Sequence, residues 1–131
     1  MRKIFVDSNY IIDYLRGRAY TKDLIEKIKN KELEAYISAA TAFELYVGAF
    51  LSNNPTKKFE DIESLLSWFQ VVDINKEIML LTAKIHVYLR KRGLSLEIQD
   101  IIIAATSVSM NMALLTNNKK HFANIQEIRL E

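Results

Sequence analysis

The chain has 131 residues, 50% of them hydrophobic and 26% charged, the proportions of one globular domain rather than two. Three Gly, one Pro and no Cys exclude collagen-like and low-complexity architectures, disulfides, thiolate metal sites and cysteine nucleophiles. A formal net charge of +2 is too small to announce a nucleic-acid partner, so any such role rests on local clusters.

After Arg2 and Lys3, only Ile4, Phe5 and Val6 precede the carboxylate of Asp7, whereas an export signal needs about 7–15 apolar residues. That run predicts a central buried strand. Ser8 reads as the cap of a helix carrying Tyr10, Ile11, Tyr14 and Leu15 on one face, closed by Arg16-Gly17-Arg18. A second helix is predicted from Thr21 to Asn30, a strand over Glu34–Ser38, and a helix from Thr41 through Leu51. Asn53-Asn54-Pro55 is the clearest break. A helix to Phe69, a strand over Gln70–Ile74 and a long helix from Lys76 to Arg92, stopped by Gly93, follow. The uncharged stretch Ile101–Asn118 has near-membrane length, but seven polar residues make it a buried helix (Leu96–Met110) and then a strand, Ala113–Thr116. Ile128–Leu130 reads as an edge strand. No membrane partner is expected, and a cysteine-free chain suits a reducing cytoplasm.

Short buried strands alternating with longer helices predict an α/β fold. Its form is a three-layer α/β/α sandwich around a parallel sheet of four to five short strands, one domain over residues 1–131. Such sheets bind ligands at the carboxyl ends of their strands. Asp7 and Asn117-Asn118 lie just past two predicted strand ends.

Most of the 16 acidic residues sit in polar company. Asp7, Glu44 and Asp100 do not: each borders an apolar run, where a carboxylate costs several kcal/mol unless paired, protonated or metal-bound. Each could instead accept hydrogen bonds at a helix N-terminus, Asp100 most readily. Three acids converging in a parallel fold would need a divalent cation, and oxygen ligands without Cys point to Mg²⁺ or Mn²⁺. Asp13, nearly two turns after Asp7, is too far along its helix to share that ion and reads as structural.

The string Ile4-Phe-Val-Asp7-Ser8-Asn9 resembles the opening of PIN-domain nucleases. Ser38-Ala-Ala-Thr-Ala-Phe-Glu44-Leu-Tyr-Val-Gly48 is similar to the family's second acidic element, and Asp100-Ile-Ile-Ile-Ala-Ala-Thr106 to its third. Leu115-Thr-Asn-Asn118-Lys-Lys-His-Phe122 resembles the closing element. The four elements keep their order over almost the whole chain, and the compact form most resembles the VapC-type toxins of prokaryotic toxin–antitoxin pairs. One departure is Asn118, where many such nucleases carry a fourth acid. It contributes an amide but no charge.

The resemblance implies a metal-dependent endoribonuclease that hydrolyses single-stranded or structured RNA to 5′-phosphate and 3′-hydroxyl ends. It implies Asp7 and Asp100 as direct metal ligands and Glu44 as a ligand through water or the group that orients the attacking water. Ser8 and Asn9 would hold the turn, and Thr116 and Asn118 would fix the far side. Three carboxylates with one Mg²⁺ leave about −1, which favours a second metal arriving with substrate. Glu97, one turn before Asp100, either adds charge or is simply solvated. His121 either assists proton transfer, touches phosphate or lies idle on the surface. Lys119 and Lys120 are the basic pair nearest a strand end and the expected RNA contacts; Arg16/Arg18, Lys57/Lys58 and Arg90-Lys91-Arg92 read as solvated faces. Tyr10, Tyr14 and Tyr46 read as packing rather than base-stacking groups. The implied partners are a cognate antitoxin, whose amphipathic segment would lie on Tyr10, Tyr14, Tyr46 and Phe50, and a second copy of the chain in a homodimer. Two rival readings are an inactive PIN fold that binds RNA or protein, and an RNA-processing nuclease outside any toxin pair. A haloacid-type phosphatase would need Asp at position 9, which is Asn. A P-loop enzyme lacks its glycine-rich loop.

Overall fold

In the computed structural model, which describes all 131 residues, the short apolar runs pair as a four-stranded, wholly parallel sheet. The strands are β1 (Lys3–Val6), β2 (Glu34–Ser38), β3 (Gln70–Val72) and β4 (Leu114–Leu115), in spatial order β3-β2-β1-β4. The helices are α1 (Ser8–Leu15), α2 (Lys22–Lys29), α3 (Ala39–Phe50), α4 (Pro55–Leu66), α5 (Lys76–Lys91), α6 (Ile98–Ser109) and α7 (Lys119–Phe122).

Side chains alternate across a strand, and the sheet divides two cores accordingly. Ile4, Val6, Ala35 and Ile37 face a core built with α1–α4, whereas Phe5, Tyr36 and Leu114 face one built with α5, α6, Phe122 and Ile125. Helix α6 is buried on all sides from Ile101 to Ser107, which is why its sequence shows a continuous apolar run instead of a stripe. No helix is long and apolar enough to cross a membrane.

Gly17 and Gly93 each take a positive φ just beyond a helix end. The next amides, of Arg18 and Leu94, reach back to the carbonyls of Asp13 and Leu89, the closure that favours glycine after a helix.

Several boundaries differ from the sequence expectation. Asp7, not Ser8, occupies the N-cap position of α1. Ser38 caps α3 by accepting from the Ala40 amide at 3.0 Å, so that helix starts before Thr41. Residues 19–21 form a separate 3-10 turn before α2, and α4 ends at Leu66 rather than Phe69. The third and fourth strands are shorter than predicted, because only the residues facing a neighbour find ladder partners. The expected edge strand at Ile128–Leu130 is a single parallel bridge from Leu130 to Leu114. The short helix α7 has no apolar periodicity long enough to foresee.

The chain runs from β1 outward through β2 to β3 and returns to β4 on the other side of β1. The order therefore reverses between β1 and β4, the position where open parallel sheets hold their ligands. Asp7 follows one of these strands and Thr116 the other.

Candidate active site

Asp7 has no solvent exposure. Its Oδ2 accepts a 2.8 Å hydrogen bond from Thr116 Oγ1, and Oδ1 is buried without any hydrogen-bond partner. The amides of Ser8 and Asn9 lie near enough to favour the charged form without meeting hydrogen-bond geometry. Burial outweighs these aids and raises the carboxyl above its ordinary value of 3.8, and the nearby charge of Asp100 pushes in the same direction. An orphaned polar atom of this kind costs about 1–3 kcal/mol.

Glu44 is half-buried on α3. Ser8 Oγ donates to its Oε1 at 3.1 Å and also meets Thr41 Oγ1 at 2.7 Å. Burial, followed by the charges of Asp100, Asp7 and Glu97, raises its carboxyl, partly offset by Ser8. Asp100 lies in the first turn of α6, where His121 Nε2 stands 2.8 Å from its Oδ2. The charges of Asp100, Asp7 and Glu97 thus all reach Glu44, and that of Asp100 also reaches Asp7. No three acidic or imidazole groups form a ready-made metal cage. The donor set is nevertheless of the right chemistry for a hard cation: oxygens only, one of them buried and unsatisfied at Asp7.

The supporting residues divide. Ser8 reaches Glu44 and Thr116 reaches Asp7, while Ser8 is not the helix cap expected of it. Asn9 is exposed and its side chain makes no hydrogen bond, because the turn is held by backbone and by Ser8 instead. Asn118 is exposed too; its backbone N–H donates to Thr116 Oγ1 at 3.0 Å. Glu97 stands exposed at the N-cap position of α6 and contributes its charge. Lys119 and Lys120 are exposed in α7, next to His121.

Two cations that the sequence assigns to solvated faces lie beside the site. A cavity of about 300 Å³ beside Glu44 is lined by Arg16 and Lys58 together with Ile12, Leu45, Gly48 and Ile62. Both basic pairs read as solvated faces because nothing local ties the end of α1 or the start of α4 to Glu44; only the packing of α1, α3 and α4 does. Lys57 turns away into an ion pair with Asp61 at 2.8 Å. Asp13 accepts from Tyr20 and stays outside the acid cluster, as its spacing implied. Tyr10 is buried with its ring edge-on to Tyr20, and Tyr14 meets Trp68 edge-on. Tyr46, Phe50 and Phe59 instead stack on one another at 5.9–6.5 Å, with Phe50 59% exposed.

Comparison with known proteins gives consistent matches. The family model described as PIN domain matches residues 4–128. Ribonuclease VapC1 of Methanocaldococcus jannaschii is 33% identical over 129 residues, 98% of this chain and 85% of the relative. The DNA-bound VapBC of Salmonella typhimurium superimposes with a TM-score of 0.87 at 26% identity, covering 100% of this chain and 98% of the matched one. A toxin–antitoxin complex from Klebsiella pneumoniae matches with a TM-score of 0.72 at 25% identity over 95% of this chain and 94% of the other.

Proposed function

The chain belongs to the PIN-domain family, and from that premise we propose that it is a Mg²⁺-dependent endoribonuclease, the toxin of a toxin–antitoxin pair. The observation that carries the reading is the convergence of Asp7, Glu44 and Asp100 at the reversal point of the sheet, with a buried, unsatisfied oxygen on Asp7. The name ribonuclease on a relative 33% identical over 98% of the chain supports the activity. The resemblance to VapBC and toxin–antitoxin complexes supports a cognate antitoxin as partner.

Asp7 and Asp100 would hold Mg²⁺, or Mn²⁺ in its place, and Glu44 would complete the site through water. The cation, when bound, offsets carboxylate repulsion, lowers the pKa of water and stabilises the leaving oxygen. Thr116 keeps Asp7 in one rotamer through its 2.8 Å hydrogen bond. Ser8 occupies one oxygen of Glu44 and leaves the other to take a proton from the attacking water. The raised pKa of Glu44 suits it to that task. Water adds to phosphorus, its proton going to Glu44, as the P–O3′ bond breaks and the departing 3′-oxygen takes a proton from solvent, leaving a 5′-phosphate and a 3′-hydroxyl. Arg16 and Lys58 flank Glu44 and would carry the RNA backbone there, with Lys119 and Lys120 on the side of α7.

The setting is cytoplasmic, and a homodimer is the proposed assembly. A test expresses the chain alone and with its antitoxin, and assays purified protein on single-stranded RNA and tRNA. Growth arrest relieved by Asp7→Asn, with Mg²⁺-dependent cleavage blocked by EDTA, is the expected result. Harmless expression of a protein that cleaves RNA would move it out of the toxin class. RNA binding without cleavage at any Mg²⁺ or Mn²⁺ concentration would make it a binding module, a reading that the retained Asp7, Glu44 and Asp100 disfavour.

A further inference from the structure

We propose that His121 is a positioning residue for Asp100, one of two points at which a single short segment braces the acids; this rests on the metal-dependent reading above. The acid itself is poorly constrained by its own helix. Asp100 lies in the first turn of α6, and neither Glu97 at the N-cap position nor any other α6 side chain hydrogen-bonds its carboxylate. Its one hydrogen-bond partner comes from 21 residues further along the chain. In the tautomer that carries its hydrogen on Nε2, His121 donates across that 2.8 Å contact to the carboxylate.

The imidazole in turn rests against a buried neighbour. Its ring meets Phe122 edge-on at 5.2 Å, and Phe122 is fully buried in the core beneath α5 and α6, with Ile125 beside it in the same cluster. At the other end of the segment, the Asn118 amide donates to Thr116 Oγ1, and that hydroxyl donates to Asp7 Oδ2. The residues from Thr116 to His121 therefore touch Asp7 with one side chain and Asp100 with another. Both contacts use neutral or cationic donors, so the brace adds no negative charge to a site that already gathers three acids and Glu97.

Two consequences follow for a cation. Asp100 has lost rotamer freedom before the ion arrives, so less order remains to be imposed on binding. One oxygen of Asp100 is held by His121, which leaves the other to face a ligand. Partners that orient metal-ligating groups in this way typically change affinity by about 10- to 100-fold when removed.

The test titrates Mn²⁺ and Mg²⁺ into the full chain, following the melting temperature and, independently, the spectroscopic signal of free Mn²⁺. His121→Ala should weaken Mn²⁺ binding by about 10- to 100-fold while the metal-free melting temperature barely moves. The Mg²⁺ concentration for half-maximal RNA cleavage should rise by the same factor. His121→Gln, whose amide nitrogen can stand near the Nε2 position, should restore most of the affinity. A parent that binds Mn²⁺ while His121→Ala binds it equally well overturns the inference and leaves the nuclease reading intact. A drop in the metal-free melting temperature with unchanged affinity also overturns it, and assigns His121 to packing of α7. A parent that binds neither ion overturns both readings.

Discussion

Asp7 and Glu44 serve one site from opposite kinds of surroundings. Asp7 ends a strand buried between two cores, is wholly enclosed, and has one oxygen held by Thr116 and the other unsatisfied. Glu44 sits on the exposed side of α3, is half-buried, and lines a cavity of about 300 Å³ with Arg16 and Lys58. Both carboxyls are raised, mainly by burial. The difference teaches a division of labour: the enclosed acid is built to hold, and the open acid is placed to meet water and substrate.

The sharpest way to break that division is to neutralise each acid in turn. Glu44→Gln should lower RNA cleavage by about 10²- to 10⁴-fold, the range for losing a general base, and saturating Mg²⁺ should not restore it. Asp7→Asn should be comparably inactive, but through lost cation affinity. Single-turnover cleavage measured across a Mg²⁺ series separates the two. Recovery of Glu44→Gln at high Mg²⁺ would make it another holder and collapse the distinction.

Stability should divide the acids in the same way. Mg²⁺ at about 100 times its dissociation constant should stabilise the folded parent by about 2.7 kcal/mol, a rise of several degrees in melting temperature. Asp7→Asn should lose nearly all of this shift and Glu44→Gln only part. Equal losses in calorimetric melts would show that the two carboxylates share the ion evenly.

Without metal, pH gives a finer version of the same contrast. The folded-state pKa of Asp7 lies above its ordinary 3.8, so ionisation in the native state is penalised. Its unfavourable contribution is absent below the ordinary value, grows as pH rises from there towards the raised one, and is complete above it. Metal-free parent should therefore gain stability relative to Asp7→Asn as pH falls through that window, and at neutral pH the variant should be the steadier protein. Denaturant melts of both proteins at several pH values in EDTA check the sign. A parent more stable than Asp7→Asn at neutral pH would mean that the orphaned oxygen finds a partner in solution.

How much of this was legible in sequence depended on how locally it was encoded. β1 and β2 are short buried runs, and the first residues past their ends are set by chain direction alone, so Asp7 was placed correctly beside its strand. The buried character of α6 followed from Ile101–Ala105 in the same way. The end of β3 was overrun because termination there depends on which residues find partners across the sheet, and that of α4 because its last turn tightens to i→i−3 bonds at Trp68 and Phe69. The contacts that define the site were harder still. Thr116 meets Asp7 across 109 residues, Ser8 meets Glu44 across 36, and His121 meets Asp100 across 21. The family resemblance pointed to these acids; the exposed side chains of Asn9 and Asn118 make no hydrogen bond within the chain. Arg16 and Lys58 left no local signal, since their relation to Glu44 exists only once α1 and α4 pack against α3.

Those two cations give the smallest effect, and they test the open side of the site directly. Arg16 and Lys58 are both exposed, so each phosphate contact is screened and should contribute no more than about 1 kcal/mol, roughly fivefold in affinity. Arg16→Ala and Lys58→Ala should each raise KM for RNA within that range while leaving kcat and Mg²⁺ stabilisation unchanged, because neither touches Asp7 or Asp100. Salt offers the clearer reading. Each lost contact to single-stranded RNA should flatten the dependence of log affinity on log salt by about 0.7. Lys57→Ala is the internal control: its ammonium is already held by Asp61, so its slope should stay that of the parent. If Lys57→Ala flattens the slope and Lys58→Ala does not, the RNA does not run past Glu44. The cavity would then belong to whatever else covers that face, and Lys119 and Lys120 would be left to guide the strand.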